Sequence, residues 1–159
     1  MVVFSPQGDD FMKRSEKSLN LTIILLVALS VLFAFMLFMA PTVFNAYCEA
    51  DNTSDEARKT LIGVFYGCTP SAILTLVYLF RFLFNIKKGE VFCSQNVKFI
   101  KILSYTCLSV IPLSLPLCYF FLAGFPIPMA AGFMWLFFRV LKNAFERGSE
   151  IKNENDLTV

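Results

Sequence analysis

The 159-residue chain contains no histidine, and only 16% of its residues carry charge, against about 25% in a soluble globular domain. The missing charge is unevenly spread. No Asp, Glu, Lys or Arg occurs in 18–48, 60–80 or 102–138. Runs of this length and apolarity meet the requirement for crossing a bilayer. They exclude a soluble enzyme and a disordered tail, and a net charge of only +2 argues against direct nucleic-acid binding.

These absences also narrow the chemistry. Without histidine there is no imidazole base and no His-ligated zinc or haem. Every charged residue lies at the end of an apolar run, so none falls at mid-membrane, where proton relays and ion pathways place theirs. Proton-coupled transport and aspartyl intramembrane proteolysis therefore lose their usual residues, while a passive pore lined by hydroxyls and backbone stays open. The five cysteines form no C-x-x-C pair. Cys107 and Cys118 share a helical face but stand about 16 Å apart along it, too far for a disulfide. Cys48 is close enough in depth to Cys68 or Cys118 to leave that pairing open. The 19 phenylalanines fill helix faces without implying a cofactor. No nucleophile–base constellation is present, so the expectation is no enzyme, no metal and no cofactor.

What is present predicts an all-α integral membrane protein, a single domain over 1–159 with four transmembrane helices. The first span covers about 19–40 and ends before Pro41. A polar loop, 42–59, leads to the second span, about 61–84. The last uncharged run has 37 residues, about 55 Å as a straight helix against a hydrocarbon core of about 30 Å, so it must fold back. Gly124, Pro126 and Pro128 mark the hairpin, giving spans at about 99–122 and 127–141 and a tail over 142–159. With the amino terminus inside, twelve of the fourteen Lys and Arg residues face the cytoplasm and only Arg58 and Lys59 face out. That bias predicts a multi-pass protein of the cell membrane with both termini cytoplasmic.

The polar residues divide by location. In the outer loop, Thr53-Ser54-Asp55-Glu56 reads as a capping box that starts the second helix, with acids at its positive end. On the second span, Gly63, Gly67, Ser71 and Thr75 recur every four residues and offer a close-packing face to a neighbouring helix or a second copy of the chain. Pro70, Pro112 and Pro116 kink the second and third spans and free the carbonyls of Tyr66, Leu108 and Pro112. Thr69, Ser71, Thr106, Ser109 and Ser114 bring hydroxyls nearby, enough for local repair or a small polar cavity. In the inner loop, Gly89 is placed to end the second helix in a left-handed cap and Ser94 to cap the third, with Phe92 at the inner interface and lysines towards anionic headgroups. The tail closes on Glu154-Asn155-Asp156-Leu157-Thr158-Val159.

Gly89, Phe92 and Asn96, followed by the third span, resemble the pattern of the bacterial DUF2975 family of small membrane proteins. The closing Glu-Asn-Asp-Leu-Thr-Val is similar to that family's Glu-Asn-Asp-Leu-Thr-Ile ending, and the four-span layout matches over roughly the whole chain. The longer outer loop and the Pro-rich entry to the fourth span depart from the plainer family pattern. The resemblance implies no assigned activity. It also implies a partnership with a small helix-turn-helix regulator, since such a regulator is often encoded beside family members.

Two function classes follow. In one, a non-enzymatic module anchored in the lipid bilayer engages a cytoplasmic protein, such as a DNA-binding regulator, through Gly89, Phe92, Asn96, Glu154, Asn155, Asp156 and Leu157. In the other, the kinked helices act on a membrane-active peptide or solute, as an immunity protein or a small transport or pore component does.

Overall fold

Three short breaks divide the apolar sequence into four helices: α1 (Pro6–Ala50), α2 (Asp55–Lys87), α3 (Ser94–Phe120) and α4 (Pro126–Leu157), the last preceded by a 3-10 turn at Leu122–Gly124. This computed structural model describes the backbone of residues 6–157 and the side chains of residues 17–152 and 154. All four helices include a stretch long and apolar enough to cross a membrane.

Each break has its own chemistry. After α1, Asn52 takes a left-handed conformation (φ 47°), which asparagine tolerates better than most residues. Ser54 then caps α2 by accepting from the Ala57 N–H at 3.4 Å, and Asp55 and Glu56 occupy the first turn. The cap is Ser54 alone, one residue beyond the Thr53 start of the expected box. After α2, Gly89 (φ 83°) supplies the left-handed cap residue, and its N–H bonds the Ile86 carbonyl at 3.0 Å. The cap of α3 is Cys93, with no side-chain bond, and Ser94 is already inside the helix.

The helices pack in chain order, α1 on α2, α2 on α3 and α3 on α4, and among the described residues close backbone approach between the four helices is confined to consecutive ones. Contacts pair late residues of one helix with early residues of the next. Phe44 meets Phe65 and Tyr78 meets Phe99, while Gly132 of α4 faces Ile111 of α3. The topology is therefore up-down-up-down, with Asn96 and Phe145 at one end and Cys48 and Phe121 at the other. Helix α3 is central and holds half of the buried residues among those described, including Asn96, Ile100, Leu103 and Ser114. Large apolar side chains on the outer faces stay exposed, Phe38 at 84% and Phe133 at 71%. An apolar surface of that kind suits lipid and would aggregate in water.

Three expected boundaries move. Helix α1 continues through Pro41 to Ala50, so the outer loop shrinks to a four-residue turn. The reason is non-local: the Tyr66 hydroxyl on α2 donates to the Leu37 carbonyl at 3.1 Å, the acceptor four residues before Pro41 that the missing proline N–H leaves open. The α3–α4 reversal lies upstream of the prolines, in 121–125. Pro126 begins α4, where a missing N–H costs nothing. Finally, α4 is one helix through Leu157, so 142–157 is its continuation.

Candidate functional site

The inner-loop residues singled out from the sequence converge at the Asn96 end. The Asn96 side chain is fully buried and every one of its polar atoms is engaged. Its amide donates to the carbonyls of Glu90 and Val91 at 2.7 and 2.9 Å, and its oxygen accepts from the Asn85 amide at 3.0 Å. Asn96 thus ties the α2–α3 loop to the first turn of α3 and to the last turns of α2. Gly89 allows the chain to turn back far enough for this closure.

Phe92 completes the clamp from the other side. Its ring lies 5.5 Å from that of Phe145 on α4, which itself meets Phe82 of α2 at 5.7 Å. The ring covers Gly148 so closely that a Cβ there would sit 2.5 Å from Phe92 Cδ1. The loop motif and the α4 continuation are therefore one packed unit. Beyond Gly148 the helix presents Glu150, Ile151, Lys152 and Glu154 to solvent. The Asn155, Asp156 and Leu157 side chains lie outside the described residues.

The small-residue stripe of α2 faces α3 at three of its four positions. A Cβ on Gly67 would touch Leu113 at 3.9 Å. The Ser71 hydroxyl bonds that of Ser109 at 2.8 Å, and the Thr75 hydroxyl bonds that of Thr106 at 2.9 Å. Gly63 meets nothing within 4 Å. Pro70, Pro112 and Pro116 lie within continuous helices. The hydroxyls of Thr69, Ser109 and Ser114 bond the carbonyls of Phe65, Thr106 and Ile111, one or two residues before each carbonyl the prolines free. An open groove of about 510 Å³ lies between α1, α2 and α3, walled mainly by apolar side chains such as Leu29, Phe33, Met36 and Val110.

At the opposite end, Asp55 pairs with Arg58 at 3.2 Å beside Glu49 and Asn52. Among the described residues no group of three His, Cys, Asp or Glu side chains is placed to hold a metal. All five cysteines are free thiols.

Three features of the site were not foreseen: the Asn85 partner of Asn96, the Phe145–Gly148 seat for Phe92, and the Tyr66 repair of Pro41. Gly148 carried the one available signal, a lone glycine inside a charged helical segment, which usually has a packing reason.

Comparison with known proteins adds one match. The family model described as protein of unknown function (DUF2975) matches residues 42–159. No curated protein and no solved structure matches.

Proposed function

The chain belongs to the DUF2975 family, and we propose that it is a non-enzymatic membrane-anchored module whose Asn96 end faces the cytoplasm and engages a regulatory protein there. The carrying observation is the Phe92–Gly148 seat, which fixes the direction of the α4 continuation relative to the membrane-spanning helices. From Arg139, the first charge after the uncharged run, to Leu157, α4 extends about 28 Å at 1.5 Å per residue. This length carries its end clear of the headgroups. A rigid helix held at a set angle suits presentation to a protein surface better than a solvated tail does, because less ordering entropy is lost on binding.

The cytoplasmic orientation rests on the distribution of Lys and Arg. The helix-turn-helix regulator as partner rests on the family resemblance. Self-association through the free face of α1 is the other partner reading. The test is capture of a helix-turn-helix protein, of the kind the family resemblance implies, by the purified chain in mild detergent. Removal of 153–159 is expected to abolish capture while the protein remains inserted, and unchanged capture would contradict the proposal.

The groove between α1, α2 and α3 favours one second reading, action on an apolar membrane-active compound. It suits an ion or polar solute poorly, since the hydroxyls of Ser71, Thr75 and Thr106 are bonded within the α2–α3 interface and the remaining wall is apolar. Under this reading, sensitivity of cells to such a compound changes when the chain is deleted and is restored by a chain lacking only 153–159.

A further inference from the structure

We infer that α3 and α4 form a binding site for the phosphate headgroup of an anionic phospholipid. It is a cavity of about 170 Å³ lined by three cations, Lys101, Arg139 and Lys142, with no acidic residue in its wall. Lys142 is bonded to Glu146 at 2.9 Å, while Lys101 and Arg139 have no ion pair among the described residues. The Arg139 guanidinium lies over the Trp135 ring, 5.6 Å from its centroid, which holds it at the cavity. The neutral part of the wall is rich in donors: Ser104, Tyr105, Trp135 and Asn143. Ser104 is 8% exposed as a residue; every fully buried side-chain polar atom among the described residues has a partner, so its unbonded hydroxyl is open to the cavity.

The position of the cavity points to lipid as the source of the phosphate. Lys101 is the last charge before the uncharged run 102–138 and Arg139 the first after it. On two antiparallel helices both cations therefore stand at the boundary between hydrocarbon and water. Trp and Tyr are enriched at that depth, and basic pockets between spanning helices there take anionic headgroups. Tyr105 lines the cavity yet is 58% exposed, so its rim opens to the lipid side. A second cavity of about 330 Å³, sharing Lys101 and Lys142 and adding Lys98 together with Glu146 and Glu150, continues towards the aqueous side; its carboxylates confine the purely cationic wall to the first cavity. The inference rests on α3 and α4 crossing the bilayer and is independent of any cytoplasmic partner.

Trp135 is the only tryptophan, so fluorescence quenching reads this cavity directly. The full chain is reconstituted in phosphatidylcholine bilayers containing brominated phosphatidylglycerol or brominated phosphatidylcholine, and the ratio of the two quenching affinities is taken within each variant. The wild-type ratio is expected to be at least about fivefold in favour of phosphatidylglycerol, the equivalent of one cation engaged at about 1 kcal/mol. Lys101→Gln/Arg139→Gln is expected to bring it to unity. Lys87→Gln/Lys88→Gln, which removes the same charge from loop lysines that meet headgroups outside this cavity, is expected to leave the ratio read at Trp135 in place. A wild-type ratio of unity overturns the inference, as does equal loss in the loop variant, which would mean a diffuse surface effect. Abolition of the preference by millimolar inorganic phosphate would also overturn it, by identifying a site for soluble anions.

Discussion

Replacing Gly148 by alanine tests the seat of Phe92 through the sign of a stability change. In an exposed helix, Gly→Ala stabilises by about 1 kcal/mol, because glycine loses the most backbone freedom on ordering. At Gly148 the added Cβ would lie 2.5 and 2.6 Å from Phe92 Cδ1 and Cε1 and 3.3 Å from Cγ. The whole ring must move, and rotation about its own axis does not clear the contact. Overpacking of this kind costs about 1–3 kcal/mol. Displacing the ring also weakens its contact with Phe145, which aromatic pairs value at about 0.5–1.5 kcal/mol. Gly148→Ala is therefore expected to destabilise the protein by about 1–2 kcal/mol. In a Phe92→Ala background the obstruction is gone and the same substitution is expected to stabilise by about 1 kcal/mol. The assay is reversible unfolding in mixed micelles, completed as a double-mutant cycle with a coupling of about 2–3 kcal/mol. Stabilisation of similar size in both backgrounds would refute the packing of Phe92 on Gly148, and with it the fixed direction of α4.

Substitutions at three further places probe the rest of the scaffold. Tyr66→Phe removes the donor to the Leu37 carbonyl and is expected to cost about 1 kcal/mol. Pro41→Ala in that background restores a backbone donor and should recover the loss in the same unfolding assay. Asn96→Ala leaves the Asn85 amide and two loop carbonyls without their partner, for a loss of about 1–3 kcal/mol, and hydrogen exchange should accelerate in the α2–α3 loop before α3 itself opens. Ser71→Ala with Ser109→Ala should show a coupling near 0.6 kcal/mol, typical of hydroxyl pairs between membrane helices. A value near zero would mean that the two helices do not meet at this register.

The four-helix layout was legible because local signals carried it: uncharged runs too long for a soluble core, a glycine where φ must be positive at position 89, and a 37-residue run that had to reverse. The interhelical role of Gly67, Ser71 and Thr75 was likewise readable from their spacing. Pro41 misled because a proline ends a helix only when nothing replaces its lost donor, and the replacement comes from Tyr66, twenty-five residues further along the chain. The hairpin was displaced because prolines in a first helical turn look, in sequence, much like prolines in a loop. Around the inner loop, Gly89, Phe92 and Asn96 could be singled out as a pattern. Their joint task, closing the loop against α4, depends on Gly148 and Phe145, more than fifty residues beyond Phe92, and no local periodicity connects them.

Photo-crosslinking from the α4 continuation tests most directly whether this end of the molecule engages a cytoplasmic protein. A photoreactive residue at Ile151, which is 60% exposed, is compared in cells with one at Phe38 on the lipid-facing surface of α1. If the proposal holds, Ile151 is expected to yield an adduct with a cytoplasmic protein of the proposed helix-turn-helix class, which Phe38 does not. Adducts from Ile151 to lipid or to other copies of the chain alone would contradict the proposal.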